Sequence, residues 1–191
     1  EALTKRFVDR RTSILIRKLK QKERLVAEVS KDGEVRIDGQ FIGKLQGFRF
    51  SQDKTVSSEE HKALRSTSIA ALESEFYLRS MRLYNAPDTD ISFTEKGDLV
   101  WGDHAIGKIV SGEDILNPKV QTFVDLEAGA EVREKVERRL THYLDRKIET
   151  LFEPLLSMKK DSQITGLSKG VAFLLVESLG ILSRADVSEE L

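Results

Sequence analysis

Val29-Ser30-Lys31-Asp32-Gly33-Glu34-Val35-Arg36-Ile37, running on to Phe41-Ile42-Gly43-Lys44-Leu45, is the stretch whose reading decides the fold, because the chain contains it twice. It returns 64 positions later as Phe93-Thr94-Glu95-Lys96-Gly97-Asp98-Leu99-Val100-Trp101, running on to Ala105-Ile106-Gly107-Lys108-Ile109. Gly33 matches Gly97, and the Ile-Gly-Lys triplets coincide without a gap. In both copies a polar turn precedes an acidic residue and then alternating apolar positions, the pattern of strands half buried in a sheet. Asp38-Gly39 and Gly102-Asp103 are hairpin turns, so each copy reads as a three-stranded antiparallel meander. The third strand of the first copy passes through Phe41, Gly43 and Leu45 to Gly47-Phe48-Arg49-Phe50.

Helical patterns surround the two copies. Leu3 to Lys22 has no Gly or Pro, and its apolar residues Leu3, Phe7, Ile14, Val8, Leu15 and Leu19 fall in two nearby arcs at 100° per residue. On the opposite side Arg6, Arg10, Arg17, Lys20 and Arg24 form a basic row about 27 Å long. Such a row is able to follow a phosphate backbone and release its counterions, although a solvated helix face is the commoner meaning of such a pattern. Ser57 to Glu60 fits a capping box opening a helix that runs to about Tyr84, with Leu64, Leu72, Phe76 and Leu83 inward. Asn85-Ala86-Pro87-Asp88 ends it by turn chemistry. After the second meander and a loop at Gly112 to Pro118 comes a short apolar segment through Val120, Phe123 and Leu126. A long helix follows from Ala130 to about Phe152, with Val132, Val136, Leu140, Leu144, Ile148 and Leu151 in one row and a densely charged outer face. Pro154 kinks it or starts the next turn, and a last apolar helix takes in Leu167, Val171, Phe173 and Leu179 before Gly180.

The fold expected is therefore α+β: two related three-stranded antiparallel β-meanders, each followed by helix, with a helical C-terminal third. Its parts are a basic helix over residues 1–24, a duplicated meander-helix region over 25–126 and a helical region over 127–191, together one domain of 191 residues. The net charge of −1 conceals an excess of +6 within residues 1–24, so a basic segment is joined to a mildly acidic body. The chain has no cysteine, which excludes disulfides, thiolate metal sites and thiol catalysis and suits a reducing compartment such as the cytoplasm. No apolar run approaches the ~20 residues that span a bilayer. The chain opens inside a charged amphipathic pattern without an initiator Met, as a piece of a longer protein would.

Few residues invite a chemical reading. Gly102-Asp103-His104-Ala105-Ile106-Gly107-Lys108 has the spacing of a phosphate-binding loop, but Ile109 stands where Ser or Thr should hold Mg²⁺, and the segment reads as a hairpin strand rather than a strand-to-helix loop. His61, His104 and His142 lack the spacing and the carboxylate partners of a zinc site. Phe48 and Phe50 flanking Arg49 have the makings of a base-stacking platform, yet aromatic pairs on a strand are more often core. No catalytic residue is picked out, and neither a metal nor a cofactor is expected.

Three stretches together resemble one family: Leu3-Thr4-Lys5-Arg6-Phe7-Val8-Asp9-Arg10-Arg11-Thr12-Ser13, the Gly-x-Val meander that ends in Gly43-Lys44-Leu45-Gln46-Gly47-Phe48-Arg49-Phe50, and Gly166-Leu167-Ser168-Lys169-Gly170-Val171-Ala172-Phe173. They look like the C-terminal extension of helicase-like proteins of alphaproteobacteria, similar to the superfamily-two RNA helicases of the mitochondrial degradosome. The resemblance implies an accessory region of an ATP-dependent helicase whose ATP and Mg²⁺ are handled by upstream motor domains, since none of the motor motifs occurs here. It implies nucleic acid as the partner, RNA ahead of DNA, and the one-sided clustering of charge makes Arg6, Arg10, Arg17, Lys20 and Arg24 the expected phosphate-contacting row. The alternative expectation is a structural or protein-interaction module that braces the motor domains or docks a nuclease.

Overall fold

The computed structural model describes residues 17, 27–52 and 58–177. It is an α+β structure built on two four-stranded antiparallel sheets. The first sheet is the meander β1 (Ala27–Val29), β2 (Glu34–Ile37), β3 (Gln40–Gln46) and β4 (Arg49–Gln52). Two helices follow, α1 (Ser58–Ala71) and α2 (Glu73–Asn85), and then the second meander β5 (Ile91–Phe93), β6 (Asp98–Trp101), β7 (His104–Val110) and β8 (Lys119–Thr122). The chain ends its described part with α3 (Ala130–Lys160) and α4 (Leu167–Glu177).

The 64-residue offset in the sequence recurs in the pairing. Glu34 faces Lys44, Val35 faces Gly43, Arg36 faces Phe41 and Ile37 faces Gln40; Asp98 faces Lys108, Leu99 faces Gly107, Val100 faces Ala105 and Trp101 faces His104. Each hairpin therefore leaves one extra residue, Ile42 or Ile106, opposite a register shift. That β-bulge corrects the strict alternation expected for the third strand. With a period of two, Ile42 and Leu45 would point to opposite faces; the inserted residue turns both inward, and both are buried. The glycine after the bulge is required by close approach. A Cβ on Gly43 would lie 2.2 Å from the Ser51 carbonyl oxygen, and one on Gly107 would lie 2.9 Å from Leu140 Cδ1. Lys44 and Lys108, next in line, point into solvent.

Each meander has four strands rather than the three expected. Gly47, at φ 56°, turns the chain back immediately, so that Arg49–Gln52 is a separate strand against β3 and not its continuation. In the second copy the corresponding connection is six residues longer, running from Ser111 to Pro118, and β8 arrives at the same register against β7. The 64-residue match ends at this insertion, which is why the fourth strand was hidden. The expected single helix from residue 57 to 84 is also divided at Leu72, where φ −89° and ψ −1° open a new helical start.

The sheets meet without merging. Phe48 forms an isolated parallel bridge with Val124, Phe123 N–H donates to the Ile106 carbonyl at 2.8 Å, and Asp125 N–H donates to the Phe48 carbonyl at 3.0 Å. Phe48 stacks on Trp101 with ring centroids 6.3 Å apart, and both copies feed one core with Val35, Ile37, Leu45, Leu99 and Ile106 fully buried. Phe76 and Leu83 of α2 and Val136, Leu140 and Tyr143 of α3 close that core. Asp125 locks the junction, accepting from Phe50 N–H at 2.5 Å and from Arg65 Nη2 at 2.7 Å. Helix α3 is broken by non-helical angles at Phe152, two residues before Pro154, as the missing N–H and ring clash of an interior proline require. Among the described residues no helix is long and apolar enough to cross a membrane.

Candidate functional site

A groove forms where α2 ends against the middle of α3. Pro87 obliges Ala86 to be extended (φ −68°, ψ 142°), which stops α2 and turns the chain sharply. The Ala86 carbonyl and the Asp88 carboxylate are thereby presented to α3. Arg139 points inward from that helix, donating from Nη2 to the Ala86 carbonyl at 2.8 Å and to Asp88 Oδ1 at 2.7 Å. Arg139 is only 7% exposed, and its Nη1 is buried with no hydrogen-bond partner among the described residues. Beside it stands Arg138, and one and two turns further along α3 stand His142 and Arg146, all exposed. Spacings of three, four and seven residues put Arg139, His142 and Arg146 along one helix face.

Tyr84, Ala86, Pro87, Asp88, Arg138, Arg139, His142 and Arg146 line a groove of about 600 Å³. Tyr84 is 46% exposed, an aromatic surface beside the cations. Arg146 Nε lies 3.5 Å from Asp88 Oδ2, a looser contact than the Arg139 pair. The hydrogen bond from Arg139 holds the Asp88 carboxyl below its ordinary pKa against the opposing effect of burial, and the charges of Arg139, Arg146 and His142 add to the lowering. Burial pushes the phenol of neighbouring Tyr143 up, with the Asp88 charge acting the same way. Three guanidinium groups thus face one fixed carboxylate, an excess of two positive charges before His142 is counted. Such a surface holds an anion by charge-assisted hydrogen bonds; it has no nucleophile paired with a base.

Of the residues weighed from sequence, His142 lines the groove, and the others that the structure describes do not. Of the basic row, Arg17 is described, helical and exposed; Arg6, Arg10, Lys20 and Arg24 lie outside the described residues. Phe48 and Phe50 are buried at 0% and 2% exposure and belong to the core, while Arg49 on the other face covers the Phe123 ring at 4.1 Å. Gly102 and Asp103 form the β6–β7 hairpin turn and Lys108 stands exposed on β7, so the phosphate-loop spacing is a coincidence of the repeat. Among the described residues no group of three His, Cys, Asp or Glu side chains is placed to hold a metal ion. The groove itself was missed. Its sequence signal is Arg138-Arg139 with His142 and Arg146 on a helix read as densely charged on its outer face, and nothing local ties that run to Pro87-Asp88, some 50 residues earlier.

Comparison of the chain with protein-family models, with curated proteins and with solved structures finds no match.

Proposed function

We propose that this chain is a noncatalytic accessory module that binds nucleic acid, as the resemblance to helicase-like proteins implies, and that what it holds is a single strand. The observation that carries the reading is the placing of exposed Tyr84 beside Arg138, Arg139, His142 and Arg146 in one open groove. Single strands are held by a cationic track together with aromatic faces on which bases stack, about 1–3 kcal/mol per stacked base. The duplicated sheets serve as the frame that fixes α2 against α3, and the basic row from Arg6 to Arg24 is a second stretch of contact. RNA is the expected substrate ahead of DNA, in the cytoplasm, with ATP hydrolysis left to the motor domains of the parent protein.

Fluorescence anisotropy with a labelled, hydroxyl-ended RNA strand at several salt concentrations tests this. Replacing Arg138 and Arg146 by Gln should lower the slope of log affinity against log salt by about 1.4, the share of two phosphate contacts on a single strand. Tyr84→Ala should weaken binding without changing the slope. If the wild-type chain shows no binding at low salt, or if both variants bind as the wild type does, the reading fails.

A second reading, protein docking, is favoured by a different observation. Leu151, Leu167 and Phe173, from the distal part of α3 and from α4, are each more than 60% exposed. Scattered single apolar residues need no explanation, but three on two packed helices suit a partner such as the helicase motor or a nuclease. Loss of co-purification in a Leu167→Ser/Phe173→Ser variant that still binds RNA would select this reading.

A further inference from the structure

We infer that the floor of the groove at Arg139 is a pocket for a terminal phosphate, so that the module grips a nucleic-acid strand by a phosphorylated end. The inference rests on the proposed reading and names the part of the strand that enters. Its starting point is a buried donor without an acceptor: Arg139 Nη1 is closed off from solvent and makes no hydrogen bond among the described residues, while Nη2 on the same guanidinium is used twice. Buried donors are nearly always satisfied, and an orphan on a charged group at the base of a groove points to an anion that completes it.

Charge and shape narrow the anion. Asp88 offsets one of the three arginines, leaving two positive charges, the complement of a phosphomonoester, which carries about −1.5 to −2 and three free oxygens. A carboxylate brings half that charge and two oxygens, and would leave Arg138 or Arg146 unmatched. A phosphodiester within a strand carries one charge and is substituted on two sides. It can lie along exposed Arg138 and Arg146, but its two ester links hinder it from lowering an oxygen to a recessed nitrogen. A terminal phosphate is substituted on one side only and enters more freely. Because Nη1 is closed to solvent, entry requires a side chain to move, and Arg146 is the one we assign: it is 62% exposed and its contact with Asp88 is long, so it turns from the carboxylate to the incoming phosphate. Tyr84 then meets the first base.

The test compares one RNA sequence carrying a 5′-phosphate, a 3′-phosphate or hydroxyls at both ends, with inorganic phosphate as competitor. One phosphorylated form should bind about tenfold or more tighter than the hydroxyl-ended strand, as expected of several charge-assisted contacts, and inorganic phosphate should erase that advantage. Arg139→Lys keeps a cation for Asp88 and removes the orphan nitrogen, and it should reduce the difference between the ends to less than about twofold. Arg138→Gln/Arg146→Gln, both exposed positions, provides the same readout should the buried variant not fold. Equal affinity for all three strands overturns the terminal-phosphate site while leaving strand binding in place. An end preference that survives Arg139→Lys in a folded protein overturns it too. If a phosphate-end preference is found but Tyr84→Ala changes nothing, the pocket stands and the stacked-strand reading falls.

Discussion

Replacing Asp88 by Asn separates the structural from the electrostatic role of the groove, and the outcome depends on pH in a direction the structure fixes. Truncating one member of a buried ion pair costs about 3–5 kcal/mol, because the partner charge is left uncompensated. Arg139 is that partner, with 8% of its side chain exposed, but Asp88 keeps 26% of its own in water, and Asn still offers an oxygen to Nη2. About 1–2 kcal/mol is therefore expected at pH 7, once solvent screening is allowed for. Folding lowers the Asp88 pKa, so the carboxylate's contribution is complete above its unfolded pKa of about 3.9 and is lost as pH falls through the lower folded value. Urea unfolding of the two proteins at pH 7 should show a gap in midpoint that narrows steadily below about pH 4. A gap that stays constant, or that widens in acid, would refute the assignment of Asp88 as a fixed carboxylate held by Arg139.

Three further outcomes follow from the same geometry. Gly43→Ala should cost about 3 kcal/mol or more, because its Cβ would meet backbone at Ser51 and Gln52 at 2.2 and 2.9 Å, whereas Gly107→Ala, which meets the end of the Leu140 side chain at 2.9 Å and the Gln121 carbonyl oxygen only at 3.1 Å, should cost less, about 1–2 kcal/mol; thermal melts of both variants decide it, and equal losses would undo the account of the bulge. Lys108→Ala, on the outer face of β7, should shift stability by no more than about 0.5 kcal/mol, and titration with ATP and Mg²⁺ should show no saturable binding in either protein. Asp125→Ala removes the acceptor shared by Phe50 N–H and Arg65, leaves a backbone donor unsatisfied, and should cost about 1–3 kcal/mol in urea unfolding.

What the sequence showed and what it hid divide along physical lines. The hairpins were legible because Asp38-Gly39 and Gly102-Asp103 carry local turn chemistry, and Asp38 and Gly39 do adopt the left-handed conformation such a turn demands (φ 52° and 73°). The second meander's fourth strand was not, because Lys119–Thr122 is placed by a long connection and by pairing with β7 rather than by its own pattern. The bulges at Ile42 and Ile106 break the period on which the strand reading relied, so the reading placed Phe41 and Leu45 on one face where the structure brings Ile42 inward beside Leu45. Periodicity reports one strand at a time, and a bulge belongs to a pair.

The groove was hidden for a related reason. An arginine on a helix face is by default a solvated cation, and Arg139 is distinguished from Arg138 beside it by its place among Val136, Leu140 and Tyr143 on the buried face and by what stands opposite. That partner is Asp88, placed by the extended Ala86-Pro87 turn and not by any feature of α3. The repeat bears on this directly. Residues 85–90 lie just ahead of β5, so the second meander anchors the turn on one side and α2 anchors it on the other. α3 packs across the same core through Val136, Leu140 and Tyr143, positions that flank Arg139 and fix its direction. Burial of a charge at this point is thus a consequence of the apolar row, which is buried from Val132 to Leu144 but not at Leu151, 62% exposed beside the break at Phe152, combined with a turn whose spatial neighbour could not be read. Once both are in place, the guanidinium has one nitrogen occupied by Ala86 and Asp88 and another with no partner among the described residues, and a dianionic ligand, as proposed above, is a chemistry that would satisfy it.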